Sequence, residues 1–597
     1  MSFWTGVPAR AWTSAALLIA AVGILALAVS LGFGNAGVNI ATLVLLQISA
    51  VLALAVFSGN SGIVSFGHSA FMGIGAYAAG ILTMSKAVQS SALPQLPAWL
   101  QGYQLSLFST LLIVALLGLV VGYLSGIPLA RLSTGSAAIG TLAFLIIIHV
   151  TLIGARDFTR GSQTFYGVPR LTTVGVAFAV AALFILVARI VKETPLGLRL
   201  RAARENEIAA AATGVNVRAS RHAGWTLSIT LALVAGALYG GFLGAFSPKD
   251  FYFDLTFTLV AMLIVGGMLT VTGAVAGTIL LAAVVQILRH AETGVDLGFV
   301  AVPGIFGLPQ LGIGLALLLT IWRRPLGLVG LAEAGPDWPK QVIAASPTPK
   351  IEQPPGAALE VKSVTMRFGG LVALDNISFS VPAGKVTGLI GPNGAGKTTL
   401  INIICGQAKP TEGDVVIEGK TVTGERPDRM AVAGLGRTFQ NIRLFDRMTA
   451  LENVAVAALA KGHDGAAARS LAMARLEQLG LQGRAGHLAG SFAYGDRRRL
   501  EIARALALEP RFLLLDEPAA GMNPAETDDL IGTLEHLRAA HNIGLLVVEH
   551  DMRLIMRLSD RMVVLNKGQK IAEGTPQEIR NDPAVIEAYI GTRRIKH

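Results

Sequence analysis

The chain has 597 residues, of which 15% are charged, and its mean hydropathy is +0.58. This composition excludes an ordinary soluble protein. Residues 1–330 hold 17 Lys and Arg against 8 Asp and Glu, whereas the remaining residues hold 32 and 30. The basic excess belongs to the apolar half, where it signals membrane topology, so nucleic acid is not expected as a partner. A single cysteine, Cys405, excludes an internal disulfide framework.

Apolar stretches in the first 330 residues predict a polytopic α-helical membrane domain with about ten spans. The first stretch exceeds the apolar core of a cleavable signal peptide, which is ~7–15 residues long, and we expect it to be a span. Two glycine-dense stretches predict short, broken or re-entrant spans, because small residues let helices approach closely in lipid. The predicted spans lie near residues 12–33, 38–57, 67–84, 105–125, 137–153, 172–190, 225–246, 255–268, 273–289 and 305–322.

The loop 191–224 is strongly basic, which predicts that it lies in the cytoplasm. Six predicted spans precede this loop and four follow it, so both ends of the chain should also be cytoplasmic. Thr194 and Pro195 predict the start of a helix that runs from Leu196 to Ala212. The helix could lie on the membrane surface. We favour the alternative, a coupling helix that docks on the following domain and transmits its movement to the spans.

Ionisable residues are nearly absent from the predicted spans, and His68 is the clearest exception. A histidine inside a membrane suggests a functional site. A hydrogen bond to a neighbouring helix is the simpler interpretation, and we favour it. The lack of buried acidic pairs argues against a proton-coupled carrier, so transport would need another source of energy.

Six prolines without apolar periodicity predict a semi-extended linker over residues 331–357. From residue 358 to residue 597, strand-like and helical segments alternate with denser charge. That alternation predicts an α/β domain.

Residues 391–398 read Gly-Pro-Asn-Gly-Ala-Gly-Lys-Thr, which fits the phosphate-binding pattern G-x-x-x-x-G-K-[ST]. The pattern follows an apolar strand and opens an apolar helix, as this motif requires. Lys397 would reach the β- and γ-phosphates, and Thr398 would bind Mg²⁺. The predicted nucleotide contacts of the loop are Gly391, Asn393, Gly394, Gly396, Lys397, Thr398 and Thr399.

Five further residues complete a predicted ATPase site. Phe368 would stack on adenine, with a core aromatic as the alternative. Gln440 would reach Mg²⁺ or the attacking water, and Asp516, at the end of an apolar strand, would hold Mg²⁺. Glu517 is the candidate general base or water-orienting group, and His550, after another apolar strand, would contact the γ-phosphate. The expected cofactors are ATP and Mg²⁺, and the combination with membrane spans points to ATP-driven transport.

Residues 359–594 resemble the nucleotide-binding subunit of ABC transporters. Residues 492–504 resemble the signature loop and helix of that family, which implies that Ala493, Tyr494 and Gly495 contact nucleotide. Residues 516–524 and 574–589 resemble the ATPases of branched-chain amino-acid importers in particular, and residues 59–77 resemble the matching permease.

The chain departs from the general family pattern at a few positions. Ala493 replaces the usual signature serine, and Asn523 replaces the usual aspartate after the catalytic strand. A signature with Tyr494 and Gly495, and an asparagine at position 523, resemble the importer subfamily's own pattern, so we do not expect an inactive ATPase. Residues 160–169 follow the permease pattern only loosely, which leaves the substrate open.

The resemblance implies a permease fused to its ATPase, importing branched-chain amino acids or similar small solutes across the bacterial inner membrane. Urea, short amides and small aromatic acids are alternative substrates. A homodimeric exporter and a non-transporting regulator are alternatives of other classes.

In this family two ATPase domains clamp two ATP molecules between the phosphate loop of one and the signature loop of the other. The chain carries one of each surface. It therefore needs a second copy of itself, or, as we favour, a second permease and a second ATP-binding subunit. A periplasmic solute-binding protein and the membrane lipid complete the expected partners.

Overall fold

The computed structural model describes residues 8–292, 304 and 306–335, residues 356–590, and the backbone of Val295–Asp296 and Ala301–Val302. Most of the predicted linker, residues 336–355, lies outside the described residues. The described chain divides into two compact units. A helical unit comprises residues 8–204 and 218–335, and an α/β unit comprises residues 205–217 and 356–590.

Within the described residues, seven helices of the helical unit are long and apolar enough to cross a membrane. They are Ala9–Gly32, Gly34–Ser61, Leu107–Leu129, Thr134–Gly154, Val174–Glu193, Val217–Leu243 and Val271–Glu292. The other three predicted spans fall on the shorter helices His68–Thr83, Phe253–Gly266 and Leu308–Arg323. The total of ten spans therefore stays a prediction.

Short elements connect these helices. Serine hydroxyls cap two of the long helices, since Ser106 accepts from the Ser109 N–H and Ser133 from the Ser136 N–H. The connecting elements are the helices Lys86–Ala92, Arg156–Thr159 and Pro195–Glu205, the 3₁₀ helix Pro248–Phe251 and the paired strands Val295–Asp296 and Ala301–Val302.

Glycines allow two helices of the helical unit to touch backbone to backbone. A Cβ on Gly236 would lie 2.0 Å from the Met72 carbonyl oxygen, and a Cβ on Gly75 would lie 2.0 Å from the Leu233 carbonyl oxygen. No side chain fits at either position. This crossing of His68–Thr83 with Val217–Leu243 agrees with the glycine density seen in the sequence.

The helices Phe253–Gly266 and Val271–Glu292 are separated by a short break. The chain that follows the last helix satisfies the carbonyl groups at that break, because Leu328 N–H donates to Val265 O (3.0 Å) and Val329 N–H donates to Gly266 O (3.1 Å). The chain directly before the predicted linker is thus bound to the helical unit.

A carboxylate, Glu333, reinforces this attachment. It accepts hydrogen bonds from the N–H groups of Val271 and Thr272, each at 3.0 Å, and from the Lys192 ammonium at 2.6 Å. Arg189 lies 3.8 Å from the same carboxylate. Glu333 therefore ties the end of one long helix to the beginning of another.

The single helix predicted from Leu196 to Ala212 is wrong, because two helices occupy the stretch. The start is confirmed: Pro195 begins the helix Pro195–Glu205, and the Gly197 N–H donates to the Thr194 hydroxyl at 3.5 Å. Asn206 then leaves the helical conformation. Its side-chain oxygen accepts from the Ala209 N–H at 2.9 Å and starts the helix Glu207–Ala212.

The α/β unit is built on two sheets. The larger sheet is parallel at its centre, where the strands are Val386–Ile390, Gly544–Val548 and Phe512–Asp516. All residues of these three strands are buried, as expected for strands that are covered on both faces of the sheet. Its strand order is Gln569–Gly574, Arg561–Asn566, Val386–Ile390, Gly544–Val548, Phe512–Asp516, Leu435–Arg437. The smaller sheet is antiparallel, in the order Leu371–Pro382, Ala358–Phe368, Glu412–Ile417, Lys420–Thr421.

Helices and 3₁₀ turns surround these sheets. They are Glu207–Ala212, Lys397–Ile404, Pro427–Val432, Ala450–Lys461, Gly465–Gln478, Gln482–Arg484, Ala489–Ser491, Tyr494–Leu506, Pro524–His541, Met552–Leu558, Pro576–Asn581 and Pro583–Ile590.

Residues 205–217 pack inside the α/β unit. The helix Glu207–Ala212 contacts the helix Pro427–Val432, and Val215 is buried. Gly214 has φ +81°, and a Cβ there would lie 2.8 Å from the Ala460 methyl group. Residues 205–217 therefore belong to this unit, and the role of a coupling helix stays a prediction.

Candidate nucleotide-hydrolysis site

The phosphate loop connects the buried strand Val386–Ile390 to the helix Lys397–Ile404. Its glycines are needed for the turn: Gly394 has φ +80°, and Gly396, directly before the helix, has φ +101°. The first turn of a helix leaves N–H groups without partners inside the helix, and such groups at the end of a glycine-rich loop are an arrangement that binds phosphate.

The Lys397 ammonium closes over this loop. It donates to the carbonyl oxygens of Gly391 (2.6 Å) and Pro392 (3.1 Å). Burial lowers the pKa of Lys397, and the neighbouring carboxylates of Glu517 and Asp516 offset part of that effect. Lys397 therefore lies close enough to both carboxylates for their charges to stabilise its protonated form.

Parallel strands bring the other predicted residues to the same edge of the sheet. Asp516 is the last residue of its strand and pairs in register with Val548, the last residue of the next strand. Asp516 is buried, and Arg437 lies 3.9 Å from its carboxylate. Burial raises the pKa of Asp516, against the opposing effect of Arg437.

Gln440 and His550 both approach the Glu517 carboxylate. The Gln440 amide donates to Glu517 Oε2 at 2.9 Å, and His550 Nδ1 lies 3.9 Å from the same oxygen. Glu517 is 22% exposed, so solvent reaches it. Gln440 lies three residues beyond the strand Leu435–Arg437.

Phe368 lies at the surface of the α/β unit. Phe368 ends the strand Ala358–Phe368 and its side chain is 53% exposed, so the core-aromatic alternative is wrong. An exposed ring is free to stack on a planar ligand.

The signature residues lie at the start of the helix Tyr494–Leu506. Ala493 precedes the helix and makes no side-chain cap, Tyr494 is 44% exposed, and a Cβ on Gly521 would lie 3.3 Å from the Tyr494 ring. Within the described part of the chain, no hydrogen bond or ion pair joins Ala493, Tyr494 or Gly495 to residues 391–398. The predicted signature residues are thus not joined to the phosphate loop of the same chain by such bonds.

Comparison with known proteins assigns both units. Residues 36–293 match the family "Branched-chain amino acid transport system / permease component". Residues 374–520 match the family "ABC transporter", and residues 569–594 match "Branched-chain amino acid ATP-binding cassette transporter". The chain belongs to the branched-chain amino acid ABC transporter family.

Individual relatives agree with this assignment. The high-affinity branched-chain amino acid transport ATP-binding protein BraF of Pseudomonas aeruginosa is 45% identical over 39% of this chain and 97% of its own length. The corresponding protein LivG of Escherichia coli is 44% identical over the same shares. A crystal structure of an ATP-binding cassette of an ABC transporter in its ADP conformation is 34% identical, covering 39% of this chain and 99% of its own, with a TM-score of 0.36. The family matches show that the fused polypeptide is a membrane-integral transporter with an ATP-binding ATPase domain.

Two residues at the site of this ABC transporter were missed by sequence reasoning. Arg437 lies 3.9 Å from the Asp516 carboxylate. Its position three residues before Gln440 was the sequence signal that could have identified it. Glu549 is buried and accepts from the N–H groups of Ala519 (3.0 Å) and His550 (3.1 Å). Its sequence signal was an acidic residue at the end of an apolar strand.

In the helical unit, His68 is hydrogen-bonded on both ring nitrogens. Nδ1 lies 2.8 Å from the Ser65 hydroxyl and Nε2 lies 2.7 Å from the Ser228 hydroxyl of another helix. The favoured interpretation, a histidine bound to a neighbouring helix, is confirmed. A second histidine within a span, His149, was overlooked, and its ring stacks on Tyr252 with centroids 3.8 Å apart.

Proposed function

We propose that this chain imports branched-chain amino acids across the bacterial inner membrane, using ATP hydrolysed by its own C-terminal domain. The observation that carries the proposal is that the permease half and the ATPase tail each match branched-chain amino acid transporters independently. The permease match also argues against the exporter. We take residues 1–330 as the permease, 331–357 as the linker and 358–597 as the cytoplasmic ATPase domain.

ATP binds with its phosphates in the loop 391–398 and its adenine on Phe368. The N–H groups of Asn393, Gly394 and Gly396 and of the following helix surround the phosphate oxygens, and the Lys397 ammonium reaches the β- and γ-phosphates. Exposure of the Phe368 ring and the positive-φ glycines of the loop support this placement.

The residues that would hold Mg²⁺ are Thr398, Asp516 and Gln440. A hydroxyl, a carboxylate and an amide oxygen are the hard donors that this cation prefers, so the donor set fits it. When bound, the cation would neutralise charge on the β- and γ-phosphates.

Glu517 orients and deprotonates the attacking water. Its carboxylate is accessible, and the Gln440 amide holds one of its oxygens. His550 is close enough to Glu517 to contact the γ-phosphate from the same side. Hydrolysis then resets the domain, and residues 205–217 pass the movement to the spans.

The complete site needs a second ATPase domain, whose signature loop faces the phosphate loop of this one. We propose that Ala493, Tyr494 and Gly495 serve the partner's nucleotide in return. The partners are a second permease and a second ATP-binding subunit, with a periplasmic solute-binding protein that delivers the substrate.

Purification through an affinity tag on this chain, from the membranes of its own host, tests the assembly and the substrate together. Mass spectrometry identifies the subunits that accompany it. The complex is then reconstituted in liposomes with enclosed ATP, and uptake of labelled leucine is measured with the solute-binding protein outside. Competition by isoleucine and valine supports the proposal. Competition by urea, acetamide or benzoate alone would assign a different substrate.

ATP hydrolysis by the chain alone in lipid nanodiscs separates the two assemblies. Turnover that Glu517→Gln abolishes would show that the chain pairs with itself. A folded, ATP-binding preparation without turnover supports the heteromeric assembly. Turnover that survives Glu517→Gln would contradict the assignment of the base.

A further inference from the structure

A buried arginine connects the signature helix to the hydrolytic residues of the same domain. Arg498 lies on the helix Tyr494–Leu506, four residues after Tyr494, and its side chain is 0% exposed. A fully buried guanidinium is costly unless its donors are satisfied. The groups that satisfy it indicate what it does.

The acceptors of Arg498 belong to the two segments that carry Gln440 and Glu517. Its Nη2 donates to the backbone carbonyl oxygens of Gln440 and Glu517, each at 3.2 Å, and its Nη1 donates to Phe439 O at 2.8 Å. Glu501 supplies the counter-charge at 2.8 Å. One nitrogen therefore spans the backbones of the two residues whose side chains meet at 2.9 Å.

The backbone of Glu517 needs such support. Its φ is +47°, in the left-handed region that costs a residue with a side chain of order 1–3 kcal/mol and persists only where the surroundings hold it. Its N–H donates to Val548 O at 2.8 Å, which fixes one side of the residue. The bond from Arg498 to its carbonyl fixes the other.

We propose that Arg498 is a positioning residue that sets the separation of Gln440 and Glu517 and joins them rigidly to the signature helix. The proposal rests on the proposed role of Glu517. Its consequence is that Arg498 governs the rate of hydrolysis and leaves ATP affinity unchanged, because it contacts no residue of the phosphate loop among those described.

The same helix offers a matched control. Arg504 is also buried, 1% exposed, and also faces Glu501, at 3.7 Å. Its guanidinium packs over the Phe445 ring at 4.8 Å. Among the described contacts, none joins Arg504 to Gln440 or Glu517. A loss that comes only from removing a buried guanidinium from this helix should appear at both positions.

The test compares Arg498→Lys with Arg504→Lys in the complex purified from host membranes. A lysine keeps the charge but offers one nitrogen, so it cannot replace both Nη2, which donates to Gln440 and Glu517, and Nη1, which donates to Phe439. We expect Arg498→Lys to lower kcat at least tenfold with KM for ATP within threefold of wild type. Arg504→Lys should keep kcat within threefold. If Arg498→Lys yields no folded complex, Arg498→Gln, which keeps one amide donor, is scored by the same criteria.

Each result decides between the possibilities. A kcat for Arg498→Lys within threefold of wild type overturns the proposal, and so does an equal loss in both lysine variants. Glu517→Gln is measured in parallel. Loss of turnover in Glu517→Gln with normal turnover in Arg498→Lys rejects only the role of Arg498, whereas turnover that survives Glu517→Gln rejects the base assignment as well.

Discussion

Replacing Glu333 by glutamine should destabilise the connection between the helices Phe253–Gly266 and Val271–Glu292, because Glu333 accepts hydrogen bonds from the first residues of the second helix. The carboxylate is only 13% exposed. Burial raises the pKa of Glu333, but Lys192 and Arg189 lower it more, to about 2 from an ordinary 4.5. That difference corresponds to about 3 kcal/mol of stabilisation of the folded state, since each pKa unit is worth 1.36 kcal/mol.

Hydrogen–deuterium exchange gives a local measure of this effect. The N–H groups of Val271 and Thr272 donate to Glu333, so their peptide should exchange faster in Glu333→Gln. A loss of about 3 kcal/mol corresponds to roughly 100-fold faster exchange. Asp157→Asn is the control: Asp157 is exposed, and within the described residues no hydrogen bond or ion pair reaches its carboxylate.

The pH dependence has a definite sign. A carboxylate whose pKa is lowered by folding stabilises the protein above its ordinary pKa, and this contribution is lost as the pH falls through the folded-state value. The difference between wild type and Glu333→Gln should therefore be constant from pH 8 to pH 5 and shrink only below about pH 4.5. An exchange difference below about threefold, or one that fades between pH 7 and pH 5, would refute the reasoning.

Two further substitutions test the packing of the helical unit. Gly236→Ala should reduce the yield of folded protein in size-exclusion chromatography, because its Cβ would meet the Met72 carbonyl oxygen, whereas Gly314→Ala, with nothing within 4 Å, should not. Equal yields would contradict the backbone contact. His68→Ala should destabilise the fold by about 2 kcal/mol or more, through its lost bond to Ser228 and the space it vacates, while KM for leucine stays unchanged. A raised KM would assign His68 to the substrate path.

Much of the ATPase site could be predicted because its residues lie in short contiguous motifs. The phosphate loop carries its own turn and helix start, and Asp516 and Glu517 follow directly from a buried strand. Parallel pairing then places the ends of these strands at one edge of the sheet, so the order of motifs suffices to assemble the site.

Other features depend on tertiary contacts that no local pattern encodes. Arg498 is one basic residue in a run of three, and only its burial against Gln440 and Glu517 distinguishes it from its neighbours. Glu333 reads as part of a proline-rich linker, yet it binds helix ends distant in sequence. The prediction of one helix over residues 196–212 was wrong because the Asn206 side chain accepts a backbone hydrogen bond from Ala209 and so starts a second helix.

The most direct test of the account is ATP-driven accumulation of labelled leucine by the reconstituted complex, with wild-type chain and with Glu517→Gln. We predict accumulation above the outside concentration for wild type, and none for Glu517→Gln although it still binds ATP. Accumulation that persists in Glu517→Gln, or that occurs without enclosed ATP, would contradict transport driven by this chain's own ATPase domain.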